Sequence, residues 1–359
     1  MHTNDQESLE NIQVIPPELP PSFPQENNNW QKKMRFSFSG NTSEYFGIWI
    51  VNILLTIVTI GIYAPWAKVR RLRYFYGNTE FFNKRFDFTG IPSKILIGRL
   101  IALGLYFAIS LVANYSVTAT FVGLGVLYLL VPWLIRATLR FNARNSKFGN
   151  SRFYFSGTTK GSYTVFFLSL ILTIFTLGLC YPISFWLYKR YAFDHLYVGQ
   201  LKFNFKADWS AFMAAFYYPF LIMIAMFCCI GLIMWLISAE FGLVLFGVAY
   251  FLIIFFANPL ILARMFIATW NNITLGNSEF STDCNQWHFA WIVGSNWIVR
   301  ILTLGLMTPW AAIRLYRYQV ESLQLDLRHD PDDLLNRIQQ DHSALAEEIS
   351  DIFDIDISL

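Results

Sequence analysis

The sequence predicts a mainly α, polytopic helical membrane protein with about seven apolar segments, internal repeats and short β-strands at the membrane surface. Three observations lead there. Of 359 residues, 55% are hydrophobic and only 14% charged, against roughly a quarter charged in a soluble domain. Aromatic residues reach 18%, with 35 Phe, 18 Tyr and 12 Trp, which suits a chain anchored at a lipid–water interface. The apolar residues also cluster in runs of about 20, enough to cross roughly 30 Å of hydrocarbon at about 1.5 Å per residue.

The runs are approximately Tyr45–Trp66, Ile95–Tyr115, Thr118–Ile135, Tyr163–Leu187, Ala211–Ile237, Leu243–Leu262 and Phe289–Trp310. The second and third are joined by a few residues, as are the fifth and sixth, so each pair is expected to form a tight helical hairpin. Ala67–Lys94 carries seven Lys/Arg and the stretch from Arg136 to Lys160 six, while the hairpin tips carry none. The positive-inside rule therefore puts the basic loops and the C-terminus in the cytoplasm and the tips outside. Seven crossings would leave the N-terminus outside. The alternative is that run four dips in and returns near Pro182, because Lys189, Arg190, Lys202 and Lys206 follow it. Runs one and seven have the same Gly-then-Pro break, at which Pro65 would end or kink the first helix.

The net charge of +3 hides an asymmetry: from Glu321 onward there are 11 acids and two basic residues, Arg328 and Arg337. Residues 1–33 read as a disordered Pro-rich lead without the apolar core of a cleavable signal. Residues 34–327 read as the membrane domain, and 328–359 as an acidic amphipathic tail with Asp330 as N-cap and Pro331 at the first helical position. Such a tail would dock on the chain's own basic loops or on a protein partner rather than on anionic lipid. Cys180, Cys228, Cys229 and Cys284 lack paired spacing and read as small hydrophobes.

Shifted by 117 positions, Arg35, Phe36, Phe38, Ser39 and Gly40 fall on Arg152, Phe153, Phe155, Ser156 and Gly157, and Thr59, Gly61 and Pro65 fall on Thr176, Gly178 and Pro182. Shifted by 244, Asn52, Thr59, Gly61, Pro65, Trp66, Arg70 and Arg73 fall on Asn296, Thr303, Gly305, Pro309, Trp310, Arg314 and Arg317. The chain thus reads as three related units, about 34–151, 152–278 and 279–327. "RFSFSG" and "KRFDFTG" alternate with period two, as half-buried strands do. Phe36 to Phe81, with F-x-F-x-G, E-Y-F, N-x-L-L-T-x-x-T-x-G-I-Y-x-P-W-A and R-Y-x-Y-x-N in one order, resembles the YjgN-like bacterial inner-membrane family. That resemblance implies a multi-pass protein of the bacterial cytoplasmic membrane and supplies no catalytic residues. The second unit departs from the pattern, with Ile183 in place of Trp66 and Leu187 in place of Arg70.

No phosphate loop, zinc helix or nucleophile elbow is present, and the five histidines lack ligand spacing. The sequence therefore points to no enzyme, cofactor or metal. Its basic excess reads as cytoplasmic loops over anionic lipid and not as a nucleic-acid surface. The candidate intramembrane polar site is Asn52, Thr56, Arg99, Asn296 and Arg300. Arg300 has too short a stem to reach either interface, so it is expected to face the bundle beside Asn296. Arg70, Arg73, Arg190, Arg314 and Arg317 are candidates for anionic phospholipid headgroups, and Trp66 and Trp310 for interface anchors on the cytoplasmic side. The expected function is a non-enzymatic transporter or channel for a small solute or lipid. The alternative is a structural or regulatory protein binding anionic headgroups or a protein partner.

Overall fold

The computed structural model describes residues 32–113, 116–236 and 239–328; the Pro-rich lead before Lys32 and the acidic tail after Arg328 lie outside them. Its frame is a ring of strands. β1 (Lys32–Arg35) and β2 (Ser37–Phe38) are one extended segment interrupted at Phe36. β1 pairs with β11 (Leu323–Leu327), Lys32 opposite Leu327, while β2 pairs with β3 (Thr79–Phe81), Phe38 opposite Thr79. Between them run β4 (Lys84–Phe88), β5 (Ser146–Phe148), β6 (Ser151–Phe155), β7 (Leu196–Val198), β8 (Leu201–Phe205), β9 (Ile273–Leu275) and β10 (Ser278–Thr282). All neighbours are antiparallel, so the 11-stranded sheet bends into a nearly closed barrel whose two ends meet at Phe36.

Tight two-residue turns close one rim. Phe82 and Asn83 both have positive φ, as do Gly149, Gly199 and Gly276 at the first position of the other three turns. Turns of this hand match the twist of paired strands. Phe36 stacks on Phe81 at 4.2 Å, Phe86 meets Phe148 at 4.8 Å, and Phe203 lies between Phe153 and Phe280 at 6.3 and 6.1 Å. With Val198, Ile273, Leu275, Leu325 and Leu327 these rings fill the barrel.

The F-x-F-x-G signature follows from this geometry. Its first Phe enters the barrel, and its second (Phe38, Phe88 or Phe155) packs below it against a helix. That second ring lies over the glycine two residues on, where a Cβ at Gly40, Gly90 or Gly157 would collide with it.

Among the described residues the helices leave from and return to the other rim, in five excursions. Three are short: α1 (Thr42–Val58) with α2 (Ala64–Gly77), α5 (Thr159–Phe175) with α6 (Tyr181–Asp194), and α9 (Gln286–Leu302) with α10 (Thr308–Glu321). Two long ones alternate with them: α3 (Pro92–Ala113) with α4 (Val117–Asn145), and α7 (Trp209–Leu236) with α8 (Ala239–Trp270). The long pairs are the hairpins read from the sequence.

Each short excursion reverses at Thr-x-Gly. Thr59 Oγ1 donates to the Leu55 carbonyl at 2.7 Å and accepts from Tyr63 N at 3.0 Å. Ile60 takes a left-handed φ of 49°, and Gly61 N closes on the Thr56 carbonyl at 2.8 Å, a Schellman-type stop. Leu177 and Leu304 repeat the conformation, with φ of 50° and 49°. Pro65, Pro182 and Pro309 open the second helix and do not kink the first.

These turns correct the count of about seven spans. Hydropathy registers how many apolar residues follow one another, not whether the chain doubles back among them. α1 has 17 residues and α2 has 14, legs of roughly 26 and 21 Å. Among the described residues, three helices are long and apolar enough to cross a membrane: Pro92–Val112, Val117–Asn145 and Trp209–Leu236. The surface strands expected as separate pairs are instead one barrel-like sheet. Lys32 pairs with Leu327 at the turn rim, so both ends of the described chain meet on that side of the fold.

The tips Ile60, Leu177 and Leu304 are 93, 94 and 94% exposed, which suits apolar residues immersed in acyl chains. In a variant lacking the four native cysteines, Ile60→Cys, Leu177→Cys and Leu304→Cys are each expected to resist water-soluble maleimide from both sides and to accept a lipid-soluble one. Fast aqueous labelling from the side opposite the barrel would mean that the short excursions cross.

Candidate functional site

The short helices bring the sequence-predicted polar residues to one place. Asn52, Thr56, Arg99 and Arg300 line an open-sided cleft of about 950 Å³ between α1, α2, α3, α9 and α10. Asn296, also buried, lines an adjoining cavity of about 380 Å³ that shares Arg300, Leu315 and Gln319 with it. Arg300 thus faces the bundle, on the side of Asn296. Its Nε is buried without a hydrogen-bond partner.

Two further cations line the cleft, Lys68 and Arg71. On α2, Ala64, Ala67, Lys68, Arg71, Leu72, Phe75 and Tyr76 follow the i, i+3, i+4 spacing of a single helix face, and that face forms one wall. Lys68 lies within reach of the charges of Arg99 and Arg71. Among the described residues the side chains of Lys68, Arg71, Arg99 and Arg300 have neither a carboxylate partner nor a hydrogen bond, and no Asp or Glu lines the cleft.

The arginines singled out for headgroups mostly have protein partners. Arg70 donates to Tyr63 Oη at 3.2 Å and reaches Asn52 Oδ1 at 3.5 Å. Arg314 donates to Ser295 Oγ at 2.7 Å and Asn296 Oδ1 at 3.4 Å, and stacks over Trp310. The short excursion lacking this Arg, at Leu187, also lacks the Asn: Ser169 stands there, and Ser184 and Thr173 bond locally instead. Arg73 donates to the Phe88 and Gly90 carbonyls and Arg317 to that of Gly40, so both tie the strand ends to the helices. Arg190 pairs with Asp194 at 3.5 Å and covers Trp186. Trp66 and Trp310 are the third residues of α2 and α10, which begin at the tips. They therefore lie at equivalent places, at the end of each short excursion farthest from the barrel.

The residues that recur at offsets of 117 and 244 thus mostly hold the fold, and the cations Lys68, Arg71 and Arg300 that line the cleft break the recurrence. The counterparts of Lys68 are Phe185 and Ala312, those of Arg71 are Tyr188 and Leu315, and those of Arg300 are Thr56 and Thr173. Sequence reading took Lys68 and Arg71 only as orientation charge. The signals that separate them from Arg70 and Arg73 are their absence from the other units and their helix face. Three tyrosines do recur. Tyr74 Oη bonds the backbone of Asn41, Tyr191 that of Thr158 and Tyr318 that of Asn285, each clamping the start of a short excursion to its end. At the last clamp, burial pushes the Cys284 thiol up to about 11 and Tyr318 up to about 12.

A family model described as "Bacterial protein of unknown function (DUF898)" matches residues 33–352. The inner membrane protein YjgN of Escherichia coli O157:H7 is 34% identical over 151 residues, 42% of this chain and 38% of that protein. The protein of the same name from Salmonella typhimurium is 29% identical over 141 residues, 39% of this chain and 36% of its own length. The matched part of the chain spans well under half the length of these relatives. No solved structure matches.

Proposed function

The chain belongs to the DUF898 family of bacterial proteins of unknown function, and we propose that it is a multi-pass protein of the bacterial inner membrane that holds an anionic phospholipid by its headgroup. The relatives' names support the inner membrane, and the long apolar helices support residence in a bilayer. The observation that carries the reading is the set Lys68, Arg71, Arg99 and Arg300, four cations that have no partner among the described residues, in a cleft of about 950 Å³ lined by no described carboxylate.

A cation at membrane depth costs roughly 2.5–3.5 kcal/mol on insertion scales unless it is paired or hydrated. A phosphodiester supplies one negative charge against these four cations, and a guanidinium can fork onto two of its oxygens. The apolar walls and exposed tips beside the cleft would receive the acyl chains. The reading is of a binding protein and not of an enzyme. The three matched Thr-x-Gly turns support an origin in repeated units.

Lys84, Arg85, Lys147, Arg152, Lys202 and Lys206 all belong to the barrel side of the fold. By the positive-inside rule the barrel and both chain ends face the cytoplasm, and the tips of the long excursions face out. A periplasm-active phosphatase is expected to be active when inserted after Ser116 and silent when fused after Leu359. The reverse pattern would invert the protein.

Passage of a small anion is the second reading, favoured by the lining that the cleft shares with the inner cavities through Gln319. The aromatic filling of the barrel opposes a straight pore. The test is native mass spectrometry of protein released from mixed nanodiscs, beside solute flux in proteoliposomes. Selective retention of phosphatidylglycerol over phosphatidylcholine, without flux, supports headgroup binding. Flux without lipid selectivity overturns it in favour of passage.

A further inference from the structure

Beneath the barrel floor lies a third space, a chamber of about 560 Å³, within the usual range for small-molecule sites. Its walls come from every region of the chain: Phe36, Phe86 and Phe153 from the strands, and Phe193, Trp270 and Tyr316 from the returning helices α6, α8 and α10. Apart from tyrosines, its lining has a single ionisable side chain, Lys189.

Lys189 sits five residues before the barrel end of α6, a helix too short to span. Its ammonium lies 5.3 Å from the Phe185 ring and 5.8 Å from the Phe193 ring. Among the described residues no carboxylate pairs with it and no hydrogen bond reaches it. Desolvation pulls its pKa below the usual lysine value. Like the cations of the cleft it breaks the recurrence, since Leu72 and Tyr316 stand at the matching positions. Lys189 is half-buried; a charge drawn out of water is ordinarily paired, and two aromatic faces compensate only in part.

We propose that this chamber binds a single-chain amphiphile with one carboxylate, its anionic end on Lys189 and its chain among the aromatic rings. One cation without an Arg fork matches a singly charged carboxylate better than a phosphodiester, which the cleft is better built to hold. The lining that the chamber and the cleft share, Tyr76, Tyr316 and Gln319, gives such a molecule a way in from the membrane. Its lysine is not one of the four cations of the headgroup cleft, although Lys189 and Arg300 both line the cavity of about 380 Å³ between the two spaces.

The probe is a palmitate analogue carrying a diazirine near the end of its chain, added to the full chain in phosphatidylcholine nanodiscs, with crosslinks mapped by mass spectrometry. The expected labels fall on the strand segment around Phe153 or on Phe266 to Trp270. Excess palmitate is expected to compete and hexadecanol not to. Lys189→Met should reduce labelling at least 10-fold and Lys189→Arg should retain it. Ala192→Trp, which fills the chamber while keeping the lysine, should abolish it. Arg99→Leu, a change in the headgroup cleft at a residue that lines neither cavity lined by Lys189, should leave labelling unchanged, so that failure here is distinct from failure of the headgroup site. Labels confined to the outer helix faces, equal competition by hexadecanol, or full labelling of Lys189→Met and Ala192→Trp would overturn the proposal.

Discussion

Arg300→Leu is expected to weaken phosphatidylglycerol retention by on the order of 10- to 100-fold while leaving the protein as stable as before, or more so. The first effect follows from removing one charged hydrogen-bonding group from the phosphate, roughly 1.5–3 kcal/mol. The second follows from the unbonded state of the Arg300 Nε, which is buried in the protein alone. Removing an unsatisfied buried donor leaves no protein partner stranded, unlike removal of Arg314, which would strand Ser295 and Asn296. Lipid retention read by native mass spectrometry, together with a thermal unfolding curve, separates the two. A large loss of stability with unchanged retention would make Arg300 a structural residue.

The other large effect is expected in the barrel. Phe203→Ala should lower stability by about 3–5 kcal/mol, the usual range for deleting a buried aromatic side chain. Phe203 lies between Phe153 and Phe280 in a filled interior, and no neighbour can collapse into its place without unstacking another ring. Because the barrel gathers the ends of all five excursions, its loosening should also release the helices. Thermal unfolding followed by tryptophan fluorescence should show one transition displaced to lower temperature. A change below about 1 kcal/mol would mean that the sheet is not the organising core.

The local chemistry of the fold was legible in the sequence. The F-x-F-x-G strands, the Thr-x-Gly breaks and the two tight hairpins can be read from Phe36 to Gly40, from Thr59 to Gly61 and from the long apolar runs. Ring closure could not be read, because it depends on the pairing of Lys32 with Leu327 across nearly the whole chain, through strands of two to five residues. The path of runs one, four and seven was also hidden. The signals for a break were visible, yet they fit a kinked span as well as a reversal. The reversal is decided by Ile60, Leu177 and Leu304 adopting a left-handed backbone that β-branched or bulky residues rarely take. At the site, Arg99 and Arg300 stood out because charge is rare in apolar runs. Lys68 and Arg71 were masked by Arg70 and Arg73, whose similar charge does structural work on Asn52 and on the Phe88 and Gly90 carbonyls.

Lys68, Arg71, Arg99 and Arg300, unpaired among the described residues, are expected to face one anionic headgroup, and a cryo-electron microscopy map of the protein in phosphatidylglycerol nanodiscs would show whether they do. Phosphate density in contact with Arg71, Arg99 and Arg300, with acyl density running from it along the short excursions, is the expected result. A cleft occupied by acyl chains alone, with Arg300 turned out of it, would contradict the account.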